Sequence, residues 1–199
     1  MRRRRLKIKI TISIPIFIER LLVFTLLFYR RLRYGYPFRR IPLTQGKFAI
    51  VDPEDYDRLS KYKWHTNKGG RTFYAMRWVP SKKPKRYIAL YMHRQVLNFP
   101  DAEYIDHRNN EGFDNRKANI RPATRAQNNY NRQKYSNNSY SKYKGVGFKR
   151  KGKKWSAQIG LGNKMIFLGY FKNEIDAAKA YDRAAKKYYK EFASLNFPK

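Results

Sequence analysis

Four polar residues in the middle of the chain have the types and spacing needed to hydrolyse a phosphodiester. Asp106 and His107 are adjacent, Asn119 follows His107 by twelve residues, and Asn128 follows Asn119 by nine. A neutral imidazole can act as a base near pH 7, so His107 is the candidate that activates water. Carboxylate and amide oxygens are hard ligands suited to Mg²⁺, which makes Asp106 and Asn128 candidate metal ligands. The amide of Asn119 could fix the loop that carries the histidine.

The residue types alone leave a simpler interpretation open. Asp-His pairs occur in turns, and the Asn-rich stretch around Asn109 and Asn115 is also typical of loops in which Asn side chains satisfy backbone groups.

The charge of the chain indicates a polyanionic partner. It has 199 residues, 46 Lys and Arg against 14 Asp and Glu, and a formal net charge of +32. Nucleic acid is the first partner to consider, because neutralised phosphates release counterions, although a membrane surface or a ribosome would also balance the charge. The absence of cysteine excludes disulfides, Cys-zinc sites and thiol nucleophiles.

The central region has the pattern of a mixed α and β fold. The sequence predicts a short helix at 53–61, after Asp52, and a further helix at 115–127, interrupted near Pro122. Between these two helices, another short helix is predicted to begin within 94–97. Strands are predicted at 47–51, 63–65, 73–79 and 86–92.

A polar, Asn- and Ser-rich stretch separates this region from the C-terminal end. Beyond this predicted linker, three strand-like runs at 143–148, 154–160 and 164–170 precede a helix that Asn173 caps. The sequence therefore predicts a small α+β unit of three strands and one helix, with most of its lysines on one side of the sheet. Ala178, Tyr181 and Ala185 would face its core.

The function of residues 1–40 stays open. The stretch Ile10–Tyr29 is nearly long enough to span a membrane, but Pro15, Glu19 and Arg20 interrupt it. A signal peptide would need a small-residue cleavage site, and arginines follow instead. These features disfavour a membrane-spanning segment, but they do not exclude a targeting or membrane role for residues 1–40.

Residues 41–131 resemble the HNH nucleases of phage and mobile introns, in the homing-nuclease branch. The matching segments are Met92-His93-Arg94, Ile105-Asp106-His107-Arg108-Asn109, Phe113-Asp114-Asn115-Arg116, Asn119-Ile120-Arg121 and Thr124 through Asn128.

The resemblance implies a ββα-metal site that uses Mg²⁺ or Mn²⁺. Asp106 and Asn128 would bind the metal, His107 would be the general base and Asn119 would orient it. His93 would assist catalysis or, alternatively, support the core. Phosphate contacts would come from three arginines: Arg94, Arg108 and Arg121.

Residues 141–198 resemble the plant APETALA-type, or ethylene-response-factor, DNA-binding domain. The matching segments are Ser141 through Val146, Lys154 through Ile159, Phe167 through Phe171, Ala177 through Asp182 and Asn196-Phe197-Pro198. The resemblance implies a three-stranded sheet that enters the major groove, with the helix behind it. The implied DNA contacts are Lys144, Lys149, Arg150, Lys153, Lys154, Gln158, Lys164 and Phe167.

Several of these positions depart from the family pattern. Lys144 stands where Arg is usual, Gln158 where Glu is usual and Phe167 where Trp is usual. Because Arg reads guanine with two hydrogen bonds, a plant-like site preference is not expected.

The overall expectation is a DNA endonuclease with an α+β fold. An HNH nuclease domain of the ββα-metal type at 41–132 would follow an extension at 1–40. A linker at 133–140 would join it to an APETALA-type domain at 141–199, a three-stranded antiparallel sheet packed on one helix. The expected partner is double-stranded DNA, in the cytoplasm or wherever DNA resides, with no small-molecule cofactor and an open oligomeric state. The alternative is a non-enzymatic, sequence-specific DNA-binding transcription regulator.

Overall fold

The structure, a computed structural model, describes residues 14–70, 72–98, 104–134 and 140–198. The basic run Arg2–Arg5 and most of the predicted linker, residues 135–139, lie outside the described residues. The mixed α+β architecture predicted from the sequence is confirmed.

Helix α1 (Ile16–Tyr34) covers most of the apolar N-terminal stretch. It begins after Pro15, ends at Gly35, whose φ is 81°, and has no buried residue. Among the described residues, no helix combines the length and the apolar character needed to cross a membrane.

Two antiparallel sheets form the body of the central module, residues 41–132. Strand β1 (Arg39–Pro42), which begins just before this range, pairs with β2 (Phe48–Val51). The strands β3 (His65–Gly69), β4 (Thr72–Pro80) and β5 (Tyr87–Tyr91) form a second sheet with β4 in the centre. Trp64 lies between the sheets with 1% of its surface exposed, and its indole N–H donates to the Leu59 carbonyl at 2.8 Å.

Two short helices complete this core. After a 3₁₀ turn at Pro53–Asp55, α2 (Tyr56–Ser60) buries Leu59. Helix α3 (Met92–Leu97) buries Met92 and Val96. The predicted strand at 47–51 and helix at 53–61 are confirmed, whereas β3 begins at His65, where the predicted strand at 63–65 ends, and α3 begins two residues before the predicted start.

The chain then forms a hairpin followed by a helix. Strand β6 (Tyr104–His107) pairs with β7 (Ile120–Ala123), and α4 (Arg125–Asn131) follows. The predicted helix at 115–127 is therefore wrong in its first half. Pro122 fits β7 because both strands of a two-stranded sheet are edge strands. The helix starts only at Thr124, whose hydroxyl accepts from the Gln127 N–H at 3.2 Å.

The C-terminal module, residues 141–198, is a sheet packed on one helix, as predicted. Strand β9 (Lys154–Leu161) lies between β8 (Val146–Lys149) and β10 (Lys164–Phe171), and all pairs are antiparallel. Helix α5 (Glu174–Tyr189) starts at Asn173, whose side chain accepts from the Asp176 N–H at 2.8 Å. Ala178, Tyr181 and Ala185 are buried against the sheet, which confirms their predicted place in the core.

The C-terminal module packs directly on α4. Tyr130 of α4 stacks on Tyr189 of α5, with ring centroids 3.9 Å apart and 8° between the ring planes. The Lys144 ammonium donates to the Tyr130 carbonyl at 2.6 Å and to the Arg132 carbonyl at 2.5 Å. Lys144 therefore does not lie with the other lysines on one side of the sheet, because it serves the last carbonyls of a helix in the central module.

Gly145 provides a test of how tightly α5 packs on the sheet. A methyl group at this position would lie 2.0 Å from Cδ2 of Tyr181. We expect Gly145→Ala to lower the free energy of unfolding by about 1–3 kcal/mol more than a glycine substitution without a clash, measured by urea denaturation.

Gly152→Ala is the matched control. Both glycines have a positive φ, +74° at Gly145 and +90° at Gly152, but no atom of the described residues lies within 4 Å of a methyl group at Gly152. Equal destabilisation of the two variants would contradict the packing described for Tyr181.

Candidate active site

A cavity of about 580 Å³ lies beside the hairpin of β6 and β7. Asp106, His107 and Asn128 line it, together with Tyr74, Asn109 and other residues. Three residues selected from sequence spacing are thus brought together at one surface.

His107 is the last residue of β6 and is 6% exposed. Its Nε2 is buried and has no hydrogen-bond partner in the described structure. The ring lies edge-on to His93, with centroids 5.1 Å apart, and 5.7 Å from the ring of Tyr74. The fold therefore holds this imidazole between aromatic rings and leaves one nitrogen unpaired.

Burial keeps both histidines neutral. Loss of hydration lowers the pKa of His107 to about 4, against the opposing effects of the Asn115 side chain and the charges of Asp106 and Asp114. Burial, with His107 and Arg94 as further causes, lowers the pKa of His93 well below its ordinary value. Each ring is therefore a proton acceptor, not a cation, near neutral pH.

His93 lies behind His107, at the start of α3. It is 8% exposed and stacks on Tyr91 with centroids 5.4 Å apart. Its Nδ1 is buried without a hydrogen-bond partner in the described structure. This position fits a ring that supports His107, while the predicted catalytic part for His93 stays a prediction.

Asp106 is held from two sides. Its carboxylate is 2% exposed and lies opposite Arg121 in the strand pairing. Arg121 binds Oδ2, with Nε at 2.9 Å and Nη2 at 2.8 Å. The Asn131 side chain donates to Oδ1 at 2.9 Å and to the His107 carbonyl at 2.8 Å.

Arg121 also reaches the C-terminal module. Its Nη1 donates to the Glu191 carbonyl at 2.9 Å, and its guanidinium lies 3.6 Å from the ring centroid of Phe192. At 6% exposure, Arg121 is buried away from a phosphate contact, in contrast to its predicted DNA-binding role. It links Asp106 to the end of the chain.

Asn119 fixes the loop that follows His107. Its side-chain oxygen accepts from the Asn109 N–H at 3.1 Å, and its amide donates to the Asp114 carbonyl at 2.8 Å. Its own carbonyl accepts from the Arg108 N–H at 2.8 Å. Asn119 thus acts on the backbone beside His107 and not on the ring.

The oxygen atoms at the cavity fit a hard divalent cation. The Asn128 side chain makes no hydrogen bond within the described residues and lines the cavity with Asp106. Oδ1 of Asp106 accepts one hydrogen bond, from Asn131, and its second lone-pair direction can accept a further interaction. Mg²⁺ commonly uses one or two carboxylates and completes its shell with water and phosphate oxygens.

A second cluster of carboxylates, away from the cavity, is a weaker candidate for a cation site. Asp52, Glu54 and Asp55 lie close enough to one another to share an ion. However, the Lys117 ammonium lies 3.0 Å from Glu54 and 3.2 Å from Asp55, and its N–H donates to Asp52 at 2.7 Å. Lys117, together with Arg58 at 2.7 Å from Asp55, already offsets part of the negative charge of these three carboxylates.

Asn131 and Asn115 are site residues that sequence spacing did not select. Asn131 lies one helical turn after Asn128, on the same face of α4, which is the signal that could have identified it. Asn115 is fully buried, and its Oδ1 has no partner within the described residues. No local pattern indicates that Asn115 lies beside His107, because the loop that carries it is fixed by pairing with Ile50.

The remaining predicted DNA contacts lie on two surfaces. In the central module, Arg94 is half-buried and Arg108 is exposed, 3.5 Å from Glu191. The outer face and first turn of the C-terminal sheet present seven exposed side chains, namely Lys149, Arg150, Lys153, Lys154, Gln158, Lys164 and Phe167.

That outer face also exposes apolar side chains, of which only Phe167 was a predicted DNA contact. Phe167, opposite Gln158 in the ladder, is 56% exposed. Met165 and Tyr170 beside it are 63% and 48% exposed. The face is therefore both basic and apolar, a combination suited to contact sugars and bases as well as phosphates.

Comparisons with known proteins give two separate similarities, and no family model matches the chain. The chain is 27% identical over 154 residues to an uncharacterised HNH endonuclease of Acanthamoeba polyphaga mimivirus, covering 76% of each protein. It is 46% identical over 59 residues to APETALA2-like protein 2 of Oryza sativa, which is 29% of this chain and 13% of that protein. A similar stretch is 42% identical to an ethylene-responsive transcription factor of Arabidopsis thaliana, 14% of whose length it spans.

The lowered pKa of His107 predicts a pH-dependent stability. Between its ordinary value of 6.5 and the folded value of about 4, the unfolded chain binds a proton at His107 that the folded chain does not. The free energy of unfolding should therefore fall as the pH drops through this window, and His93 adds in the same direction. We expect His107→Gln to flatten this slope in urea denaturation from pH 4 to 7.

An NMR titration of the wild-type imidazoles in metal-free buffer reads the same property directly. The His107 signal should stay that of a neutral ring until the pH approaches 4. A midpoint near 6.5, or an unchanged slope in His107→Gln, would contradict the burial of this ring.

Proposed function

We propose that this chain is a metal-dependent DNA endonuclease whose active site is the cavity beside β6 and β7. One observation carries the proposal. A neutral imidazole with an unpaired Nε2, His107, lies in the same cavity as a carboxylate and an amide oxygen, Asp106 and Asn128. The similarity to the viral HNH endonuclease supports the same reaction.

His107 would act as the general base. Its ring nitrogen accepts a proton from a water molecule, and the oxygen of that water forms a bond to phosphorus. The bond from phosphorus to the 3′ oxygen breaks, and that oxygen takes up a proton from solvent. The products are a 5′-phosphate and a 3′-hydroxyl. Phosphate charge beside the ring would raise the pKa of His107 when DNA is bound, which strengthens it as a base.

Asp106 and Asn128 would hold Mg²⁺ or Mn²⁺. The bound cation would stabilise the negative charge that develops on the phosphate. Arg121 and Asn131 hold the Asp106 carboxylate in a fixed direction. Asn119 keeps the loop after His107 in place.

The C-terminal sheet would hold the DNA. Its exposed basic and apolar face supports this role, and so does the similarity to plant APETALA2-like proteins. A non-enzymatic DNA-binding regulator remains the second candidate, because the stretches of higher identity are to such plant proteins.

Plasmid nicking in Mg²⁺ tests the proposed reaction. We expect His107→Ala to lower the nicking rate by about 10²–10⁴-fold, because general-base catalysis contributes that much. Affinity for DNA, measured without divalent metal, should stay within about twofold of the wild type, since uncharged His107 adds no phosphate contact.

His65→Ala is the matched control, since His65 lies in β3 and does not line the cavity. Nicking that persists in His107→Ala would refute the mechanism. Binding without nicking by the wild type, in Mg²⁺ or Mn²⁺, would instead identify a DNA-binding regulator.

Substitutions on the sheet test the proposed DNA-holding face. Lys149 and Lys154 face each other across β8 and β9. Affinity falls as salt rises, and we expect the double variant Lys149→Ala/Lys154→Ala to make this dependence shallower. The magnitude of the slope of log affinity against log salt should drop by roughly 1.8, about 0.9 for each phosphate that the variant no longer neutralises.

The double variant Lys179→Ala/Lys186→Ala removes the same charge from exposed positions on α5, behind the sheet. Its salt slope should change much less. Equal changes in the two double variants would show that the sheet face is not the DNA-holding surface.

A further inference from the structure

We propose that the hairpin of β4 and β5 is a second DNA-contacting element, an arm that lies in the groove of double-stranded DNA to one side of the cut. The arm consists of the ends of these strands and their connecting loop, residues 78–88. The position of the arm relative to the cut rests on the proposed nuclease function. The binding of the arm to DNA does not depend on it.

The loop of the arm concentrates positive charge. Four of the six residues from Ser81 to Arg86 are cations, and all four are exposed. None of them forms an ion pair within the described part of the chain. The loop is closed by its backbone, since the Ser81 N–H donates to the Arg86 carbonyl at 2.8 Å. The fold therefore does not use these charges, which are Lys82, Lys83, Lys85 and Arg86.

Large exposed side chains lie directly below the charged loop. Trp78 is 55% exposed, Tyr87 66% and Ile88 47%. Trp78 pairs with Ala89, and Pro80 pairs with Tyr87, so Trp78 and Tyr87 share one face of the ribbon. They are diagonal neighbours, at a separation of about 7–8 Å. Exposed aromatic rings under a basic loop suit contact with the sugars and base edges that line a groove of duplex DNA.

Strand β4 connects the arm to the candidate active site. Tyr74, near its beginning, contacts His107, and Pro80 is its last residue. Six residues of antiparallel strand span about 20 Å at roughly 3.4 Å per residue. At about 3.4 Å per base step, this distance corresponds to roughly six base pairs. A two-stranded ribbon also fits the width of the major groove.

Charge decides between the partners that such an arm could contact. The chain carries a net charge of +32, which disfavours a second copy of itself at a basic loop. The arm extends from the same sheet that lines the proposed cutting site, so duplex DNA is the polyanion nearest to it.

Two measurements on the full-length protein without divalent metal test the arm. The variant Lys82→Ser/Lys83→Ser/Lys85→Ser/Arg86→Ser removes its charges. The salt slope of binding to a mixed-sequence 40-base-pair duplex should fall by about 0.9 for each phosphate that these side chains neutralise. Lys179→Ala/Lys186→Ala serves as the control. An unchanged slope in the arm variant would overturn the proposal.

Trp78 provides the second readout. It is the most exposed of the three tryptophans, because Trp64 is buried and Trp155 is half-buried. Duplex DNA should shield the wild-type fluorescence from acrylamide quenching, and the shielding should be smaller in Trp78→Phe. Equal protection in the wild type and in Trp78→Phe would overturn the arm. Shielding at Trp78 without plasmid nicking would refute the nuclease and leave the arm standing.

Discussion

The buried ion pair between Asp106 and Arg121 connects the parts of the molecule that the proposed function needs. Asp106 shares the cavity with His107, and Arg121 contacts Glu191 and Phe192 near the end of the chain. Removing one partner of a buried pair typically costs about 3–5 kcal/mol, because the other charge is left without compensation. The carboxylate at the cavity and the position of the C-terminal module are therefore coupled through one guanidinium.

The same region shows how burial keeps two imidazole rings neutral. Tyr74 and Tyr91 surround the paired rings of His93 and His107, and each imidazole has one buried nitrogen without a hydrogen-bond partner among the described residues. Withdrawal from water disfavours the charged form of each ring. The free energy of unfolding therefore falls at acidic pH, and at neutral pH an uncharged ring of His107 lines the cavity.

The contact between the two modules gives the proposed nuclease a defined geometry. Tyr130 stacks on Tyr189, and Lys144 binds the last carbonyls of α4. Because α4 also carries Asn128 and Asn131, a module that holds DNA would be positioned relative to the proposed metal ligands by packing and not by a linker alone. The exposed hairpin of β4 and β5 would add a second DNA contact at the far end of the central sheet, and it is positioned by the same sheet that lines the cavity.

Local patterns in the sequence determined the elements and the site candidates. The strands and helix of the C-terminal module follow from alternation and from the Asn173 cap. Residue types and spacing made Asp106, His107, Asn119 and Asn128 candidates, and the resemblance to HNH nucleases gave them their expected roles. The tertiary structure decided the partners of these residues. It buried Arg121 against Asp106, replaced the first half of a predicted helix with β7, and directed Lys144 to another module. These outcomes depend on contacts between residues distant in sequence, whose energies no local pattern contains.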